Sequence, residues 1–220
     1  MPMRSDERLA KRIATDVLQR YEVNSILDIG CGDGVVGEHI HADTNYQGLD
    51  IVEASIYEQK HDKPNIRYVQ PDAITNIIQK EGPWDMILLL DVLEHTRSFT
   101  GLFEEAMRST NKYVVVSLPN ELFFLDRLRM VIGKELNAHS LDLTGQPEGF
   151  KHQFIININK ARELLSKKGF ENNFQLKEEV VRPLNPKRKI MKLPASFLKL
   201  LGTDQLWSQG SIFIFERKGN

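Results

Sequence analysis

The sequence predicts a single-domain α/β fold, in which a doubly wound and mostly parallel sheet of seven strands carries helices on both faces. Three observations favour it. Short β-rich runs alternate with amphipathic stretches over the first two-thirds of the 220 residues. A glycine-rich turn directly follows the first of these runs. A charged share of 27% and a hydrophobic share of 41% are those of an ordinary globular chain, so one domain spanning 1–220 is expected.

The spacing of apolar residues predicts the elements in order. A lead helix carries Leu9, Ile13 and Val17 and ends before Asn24. A helix is predicted over 161–168, where Gly169 stops it. The seven predicted strands, with helices in the gaps between the first five, cover 25–29, 46–50, 66–70, 85–90, 113–118, 174–181 and 211–216.

Charge and cysteine content exclude several classes of protein. Lys and Arg number 29 against 30 Asp and Glu, so the net charge of -1 provides no basic field for non-specific nucleic-acid binding. A single cysteine excludes an intramolecular disulfide and a multi-cysteine zinc site. The first residues lack the apolar core of a signal peptide, and the aliphatic run at 86–90 is far shorter than the ~20 residues of a membrane span. We therefore expect a cytoplasmic protein.

The strongest local signal is the glycine-rich sequence ILDIGCGDGVVG. Alternating glycines let the chain turn tightly and let a ligand approach the backbone. Gly32, Gly34 and Gly37 also form the GxGxxG pattern of dinucleotide sites, which is weak evidence alone. Asp28 and Asp33 argue against a dinucleotide, because their carboxylates would repel its pyrophosphate. They favour S-adenosylmethionine, which has no phosphate and carries an ammonium and a sulfonium group.

The run from Asp28 to Gly34 matches (D/E)xGxGxG and resembles the glycine motif of class I S-adenosylmethionine-dependent methyltransferases. The sequences GLDI, VQPDAI and PWDMILLLDVLEH extend the resemblance along most of the chain. It implies a Rossmann-like fold, methyl transfer and S-adenosylmethionine as cofactor. It also implies a set of cofactor-binding residues, which are Asp28, Gly30, Cys31, Gly32, Gly34, Asp50, Ile51, Asp72, Ala73 and Asp91.

Within that set, the resemblance implies specific contacts with the cofactor. Asp50 would accept hydrogen bonds from both ribose hydroxyls, Ile51 would pack on the adenine ring, and Asp72 would meet the adenine amino group. Taken alone, Asp72 is explained as well by a helix N-cap or a solvated carboxylate. The recurrence of acids at successive strand ends favours a ligand site, because open α/β sheets bind ligands at that edge.

An acid–histidine cluster follows the fourth predicted strand. Asp91, Glu94 and His95 are three and four residues apart, so a short helix would bring them to one face. A further ligand for a divalent metal would be His152 in KHQF, with His139 as its rival. The combination of xVLEH, LPN and KHxF resembles the terminal ribose 2′-O-methyltransferases of small RNAs, which bind a metal with two acids and two histidines.

Asp91 stands where that RNA-modifying family has a glutamate. Its shorter side chain favours a site without metal, in which His152 or His95 acts as a general base. His95, at a strand–helix turn, is explained equally well as a structural residue. His152 lies in an irregular segment, where burial in the core does not explain it.

Two stretches interrupt the alternation of strands and helices, at 119–154 and 182–210. Irregular insertions in such folds commonly carry substrate choice, so both are expected on the acceptor side. The amphipathic segment 121–132 is predicted as a lid helix packed on the sheet, or else as a wall of the acceptor pocket. The basic, apolar segment 186–201 suits a solvated edge over a packed helix, or else a phosphate-binding face or peripheral contact with a membrane.

The expected function is methyl transfer to a hydroxyl or an amine of a small-molecule or glycan acceptor. The stretch LRMVIG supports it, because it resembles methyltransferases of surface-glycan and secondary-metabolite pathways. One alternative is metal-assisted 2′-O-methylation of an RNA ribose. A further alternative is a non-catalytic module that binds the cofactor and a partner, which the intact glycine loop and ribose acid disfavour.

Overall fold

The computed structural model describes residue 9 and residues 12–51, 65–139, 151–183 and 204–219, and the structural statements below concern these residues. They contain one sheet with the seven predicted strands. The strands are β1 Ser25–Ile29, β2 Asn45–Asp50, β3 Ile66–Tyr68, β4 Trp84–Leu90, β5 Thr110–Pro119, β6 Phe174–Pro183 and β7 Ser208–Arg217. The α-helices are α1 Ala73–Glu81, α2 Gly101–Arg108, α3 Phe124–Val131, α4 Ile158–Glu171 and α5 Asp204–Trp207.

The strand order is β3-β2-β1-β4-β5-β7-β6, with β1 near the centre. The first five strands run parallel, and β7 lies antiparallel between β5 and β6. The chain winds outwards from β1 to β2 and β3, then returns to place β4 on the other side of β1. This change of direction opens a crevice at the carboxyl ends of β1 and β4, where open α/β sheets bind ligands.

Both faces of the sheet are covered, which confirms the doubly wound arrangement. On one face, Ile78 of α1, Phe103 of α2 and Leu165 of α4 belong to a single buried cluster. On the other face, a π-helical turn Ile13–Val17 buries its apolar side chains against β1 and β4. The central strands are therefore buried on both sides, which accounts for the aliphatic sequence of β4.

Helix α4 differs from its predicted bounds at both ends. It begins earlier, because the side chain of Asn157 accepts hydrogen bonds from the backbone amides of Asn159 and Lys160 and caps the helix. Gly169 lies inside the helix, so the prediction that it ends the helix is wrong. A Cβ at Gly169 would lie 3.1 Å from Cδ1 of Phe215, so this glycine allows α4 to pack closely on the sheet.

Helix α3 forms where the amphipathic segment predicted a helix, but the prediction that it packs on the sheet is wrong. None of its residues is buried. Phe124, at its first turn, contacts Trp207 with ring centroids 5.2 Å apart, whereas Leu125, Leu128 and Val131 are exposed. Whether 119–154 and 182–210 lie on the acceptor side stays a prediction, and 184–201 lies outside the described residues. No described helix is both long and apolar enough to cross a lipid bilayer.

We expect Phe215→Ala to lower the free energy of unfolding by about 3–5 kcal/mol, because the ring is fully buried and packs against Phe103 with centroids 5.0 Å apart. Phe170→Ala is the matched control. Its ring is 72% exposed and lies under the ammonium group of Lys218, so we expect a loss below about 1 kcal/mol. Urea denaturation measures both, and equal losses would contradict the burial of β7.

Candidate active site

The glycine loop after β1 is packed on one side and open on the other. Gly30 and Gly32 have φ angles of +73° and +57°, which L-residues with side chains rarely adopt. A Cβ on Gly30 would collide with the side chain of Val92, so the loop lies directly on the chain that leaves β4. A Cβ on Gly32 would meet no atom of the described residues within 4 Å, so among these residues the opposite side has room for a ligand.

The loop is also tied to the end of β2. The backbone amides of Gly30 and Cys31 donate to the carbonyl oxygen of Leu49 at 2.7 and 3.2 Å. The buried carboxylate of Asp50 accepts a hydrogen bond from the amide of Gly32 at 2.7 Å. The structure therefore brings the predicted ribose acid into direct contact with the predicted glycine loop.

The residues predicted to contact adenine lie at the neighbouring strand ends. Ile51 follows β2 and is 43% exposed. Asp72 is exposed and precedes α1, in which Ala73 is the first residue. The Asp72 side chain makes no capping hydrogen bond to the helix, so capping does not account for this acid.

Asp28 is fully buried beneath the loop. One carboxylate oxygen, Oδ2, accepts a hydrogen bond from the hydroxyl of Tyr46 at 2.8 Å, and the other has no partner within the described ranges. Burial raises the pKa of Asp28 to about 7, the hydrogen bond from Tyr46 opposes that shift, and the charge of Asp50 adds to it. A cation close to Asp28 would relieve the cost of ionising it.

Asp91 does not share a helix face with Glu94 and His95, so that expectation is wrong. It precedes the 3₁₀ turn Leu93–His95 and has a φ angle of +52°. Its carboxylate accepts hydrogen bonds from the hydroxyl of Ser117 at 2.6 Å and from Nη1 of Arg182 at 2.8 Å. The resemblance implies a cofactor contact for Asp91, and the structure shows its carboxylate anchored to β5 and β6.

Glu94, His95 and His152 converge at the carboxyl end of β4. One potential ligand atom from each lies within 4.8 Å of those of the other two. The rings of His95 and His152 meet edge to face with centroids 4.5 Å apart. The amide of Gln153 donates to the carbonyl oxygen of Glu94 at 2.7 Å and holds the two segments together.

The carboxyl group of Glu94 lies in the interior of the protein. The residue is 1% exposed, and neither carboxylate oxygen has a hydrogen-bond partner in the described part of the chain. Burial raises the pKa of Glu94 well above its ordinary value, and the charge of Asp91 raises it further. The charge of Arg182 opposes this shift only in part, so ionising Glu94 costs free energy that a bound cation would offset.

Glu121, which the sequence did not single out, joins the cluster from the end of β5. Its Oε1 atom lies 2.9 Å from Nε2 of His139 and 2.8 Å from Nδ1 of His152, and its Oε2 atom accepts a hydrogen bond from the amide of Ile156 at 2.8 Å. Burial raises the pKa of Glu121, but the hydrogen bonds from His152 and Ile156, together with the charges of His152 and His139, lower it overall. Glu121, His139 and His152 form a second group with potential ligand atoms within 4.8 Å of one another.

Residues 4–173 match the sequence pattern of a family described as a methyltransferase domain. No curated protein sequence shows significant similarity to the chain.

Solved structures share the fold at low identity. An S-adenosylmethionine-dependent methyltransferase from Archaeoglobus fulgidus is 16% identical with a TM-score of 0.61, over 97% of this chain and 95% of that one. Magnesium protoporphyrin IX methyltransferase from Synechocystis PCC 6803, with bound S-adenosylhomocysteine, is 15% identical with a TM-score of 0.57, over 96% and 83%. The small RNA methyltransferase HEN1 is 15% identical with a TM-score of 0.56, over 97% of this chain and 25% of that one.

We expect the stability of the wild type to fall relative to Asp28→Asn as the pH rises from about 4 to about 7. The folded state keeps a proton on Asp28 up to a pKa of about 7, whereas the unfolded chain releases it near the ordinary value of 3.8. Asparagine retains the acceptor for Tyr46 and does not titrate. The melting temperature of the wild type should fall relative to that of the variant as the pH rises, and the difference between the two should become constant above pH 7.

Asp72→Asn is the control, because it makes the same exchange at an acid that lies exposed on the surface. A gap for Asp28→Asn that stays constant or narrows with rising pH would contradict the burial of this acid.

Proposed function

Because the chain belongs to the methyltransferase domain family as an S-adenosylmethionine-dependent enzyme of class I, we propose that it methylates a hydroxyl, or an amine, of a small-molecule or glycan acceptor. The observation that carries the proposal is the convergence of His95 and His152 at the segment that leaves β4, which packs against the glycine loop at Gly30. This convergence lies at the sheet edge where a cofactor and a second substrate meet.

The residues at the loop fit S-adenosylmethionine. The space at Gly32 is open to a ligand against the backbone, Asp50 offers a carboxylate beside the loop to ribose hydroxyls, and Ile51 offers an apolar surface to adenine. The buried Oδ1 atom of Asp28 without a partner in the described ranges suits a cationic ligand. The cofactor supplies an electrophilic methyl group on a positively charged sulfur, which leaves as a neutral thioether.

His152 is the proposed general base. Its ring would take the proton of the acceptor hydroxyl as that oxygen is methylated. A base of this kind contributes about 10²–10⁴-fold in rate. The rest of the acceleration comes from holding the acceptor in line and excluding water, because the leaving group is already good. His95 lies against the ring of His152 and is the second candidate for this role.

The charges around the cluster favour an uncharged acceptor. Glu94 and Glu121 place two buried carboxyl groups beside His152, and the net charge of the chain is -1. A phosphodiester backbone approaching this site would meet negative potential where Glu121 is ionised. A sugar or small-molecule hydroxyl meets hydrogen-bonding groups without that penalty.

Metal-assisted methylation of an RNA ribose is the second candidate, and the carboxylate of Glu94 is the observation that favours it. One carboxylate and two imidazoles, from Glu94, His95 and His152, fit a divalent cation such as Mn²⁺, Co²⁺ or Zn²⁺. Such an ion would neutralise Glu94 and supply Lewis acidity to a diol. Asp91 would contribute little, because its carboxylate is held by Arg182 and Ser117.

S-adenosylhomocysteine should bind the protein and raise its melting temperature, because a ligand that binds only the native state stabilises that state. NAD should neither bind nor change the melting temperature. Asp50→Ala should weaken the binding of S-adenosylhomocysteine by about 1.5–3 kcal/mol through loss of charge-assisted hydrogen bonds. Asp43→Ala, an exposed acid before β2, is the control and should leave affinity unchanged. The cofactor assignment would be overturned if calorimetry detects binding of NAD and detects no binding of S-adenosylhomocysteine.

Titration of chelator-treated protein with Co²⁺ separates the two candidate acceptors. The metal-assisted reaction requires that Co²⁺ bind the wild type, give a visible absorption band and raise the melting temperature, and that Glu94→Gln abolish all three. Glu105→Gln, a buried glutamate on α2, is the control and should bind Co²⁺ like the wild type. In the metal-free reaction Glu94 holds no ion, so Glu94→Gln should respond to Co²⁺ as the wild type does, including any binding at Glu121, His139 and His152.

A further inference from the structure

We infer that Glu121 is a positioning residue that holds His152 in the Nδ1–H tautomer, which leaves Nε2 as the ring nitrogen available for chemistry. The use made of Nε2 rests on the proposed function, whereas the tautomer itself does not. Glu121 lies outside both the glycine loop and the Asp91–His95 sequence.

Three hydrogen bonds fix the carboxylate of Glu121. Nε2 of His139 and Nδ1 of His152 share Oε1 at 2.9 and 2.8 Å, while the amide of Ile156 occupies Oε2 at 2.8 Å. The residue is 7% exposed. A backbone group therefore holds Oε2, and Oε1 faces the two histidines.

An ionised carboxylate only accepts hydrogen bonds, so each nitrogen that faces Oε1 must carry a hydrogen. In the neutral rings, His139 then carries its proton on Nε2 and His152 carries its proton on Nδ1. Two histidines on one oxygen atom thus have opposite tautomers. An isolated histidine side chain prefers the Nε2–H form, so His139 keeps the ordinary tautomer and His152 is forced into the less common one.

The backbone around His152 is fixed independently of its ring. The amide of His152 donates to the carbonyl oxygen of Ala138 at 3.2 Å, and the next amide, of Gln153, donates to that of Glu94. These bonds locate the Cα atom, and the bond to Glu121 then selects which ring nitrogen keeps a lone pair. Both candidate functions need that lone pair, as a base in one and as a ligand in the other.

Nuclear magnetic resonance of protein labelled with ¹⁵N-histidine tests the inference without acceptor or metal. Two-bond correlations between ring nitrogens and carbon-bound hydrogens distinguish the two tautomers, and a pH of about 8.5 keeps ordinary imidazoles neutral. The chain has six histidines, so loss of signals in His139→Gln and His152→Gln assigns the two that matter. We expect Nδ1–H at His152 and Nε2–H at His139. An Nε2–H signal at His152 overturns the inference.

Glu121→Gln tests whether the carboxylate causes the tautomer. The buried amide of Ile156 keeps its acceptor only if the glutamine oxygen faces it, which turns the glutamine NH₂ group towards the histidines. That group donates to Nδ1 of His152, so we expect the Nδ1–H signal to be lost and the Nε2–H signal to appear. Retention of Nδ1–H would show that the acid is merely structural.

Glu105→Gln is the matched control, since it makes the same exchange at another buried glutamate and should leave both histidine signals unchanged. Binding of S-adenosylhomocysteine is measured for every variant, because unchanged affinity shows an intact fold. If no protein binds that ligand, the proposed function fails, while the wild-type tautomers still decide the role of Glu121.

Discussion

The parallel pairing of β1 with both β2 and β4 is the constraint on which the site depends. It aligns Ile29 with Leu49 on one side and Leu89 on the other, so the three strands end at the same edge of the sheet. The residues that follow these three strands therefore lie close together in space. Backbone hydrogen bonds buried between apolar faces hold this register, because shifting it would leave polar groups unpaired.

Direct packing links the glycine loop to the acid–histidine cluster. Val92 lies against Gly30 and belongs to the same short connection as Glu94 and His95. A ligand that shifts the loop must therefore shift this connection or be resisted by it. Hydrogen bonds from the segment 151–157 to Glu94 and Glu121 extend the same linkage to His152.

Local patterns in the sequence predicted the parts of this site that local chemistry determines. The glycine loop needs left-handed backbone within a few residues, and Asp50 ends a strand whose position the aliphatic pattern shows. The prediction that Gly169 ends helix α4 was wrong. The local sequence indicates a helix end there, whereas the deciding contact is with Phe215 on a strand distant in the sequence. Composition and periodicity carry no record of such a contact.

Long-range pairs account for most of the remainder. Asp91 pairs with Arg182, 91 positions along the chain, and that bond separates it from the histidines it was expected to join. Glu121 meets His152 after 31 positions and Ile156 after 35. An acid two residues after an apolar strand, at the edge where ligands bind, was the signal that could have drawn attention to Glu121. Its partners could not be read from spacing.

The single cysteine of the chain lies within the glycine loop, and its surroundings determine its reactivity. Its sulfur packs over Gly48, where an added Cβ would come within 2.6 Å of it. Burial and the nearby charges of Asp28 and Asp50 raise the pKa of the Cys31 thiol far above its ordinary value. Only the thiolate is strongly nucleophilic, so this loop resists alkylation at neutral pH. A cysteine introduced on the exposed surface could therefore be labelled selectively with a maleimide dye while the native thiol stays unmodified.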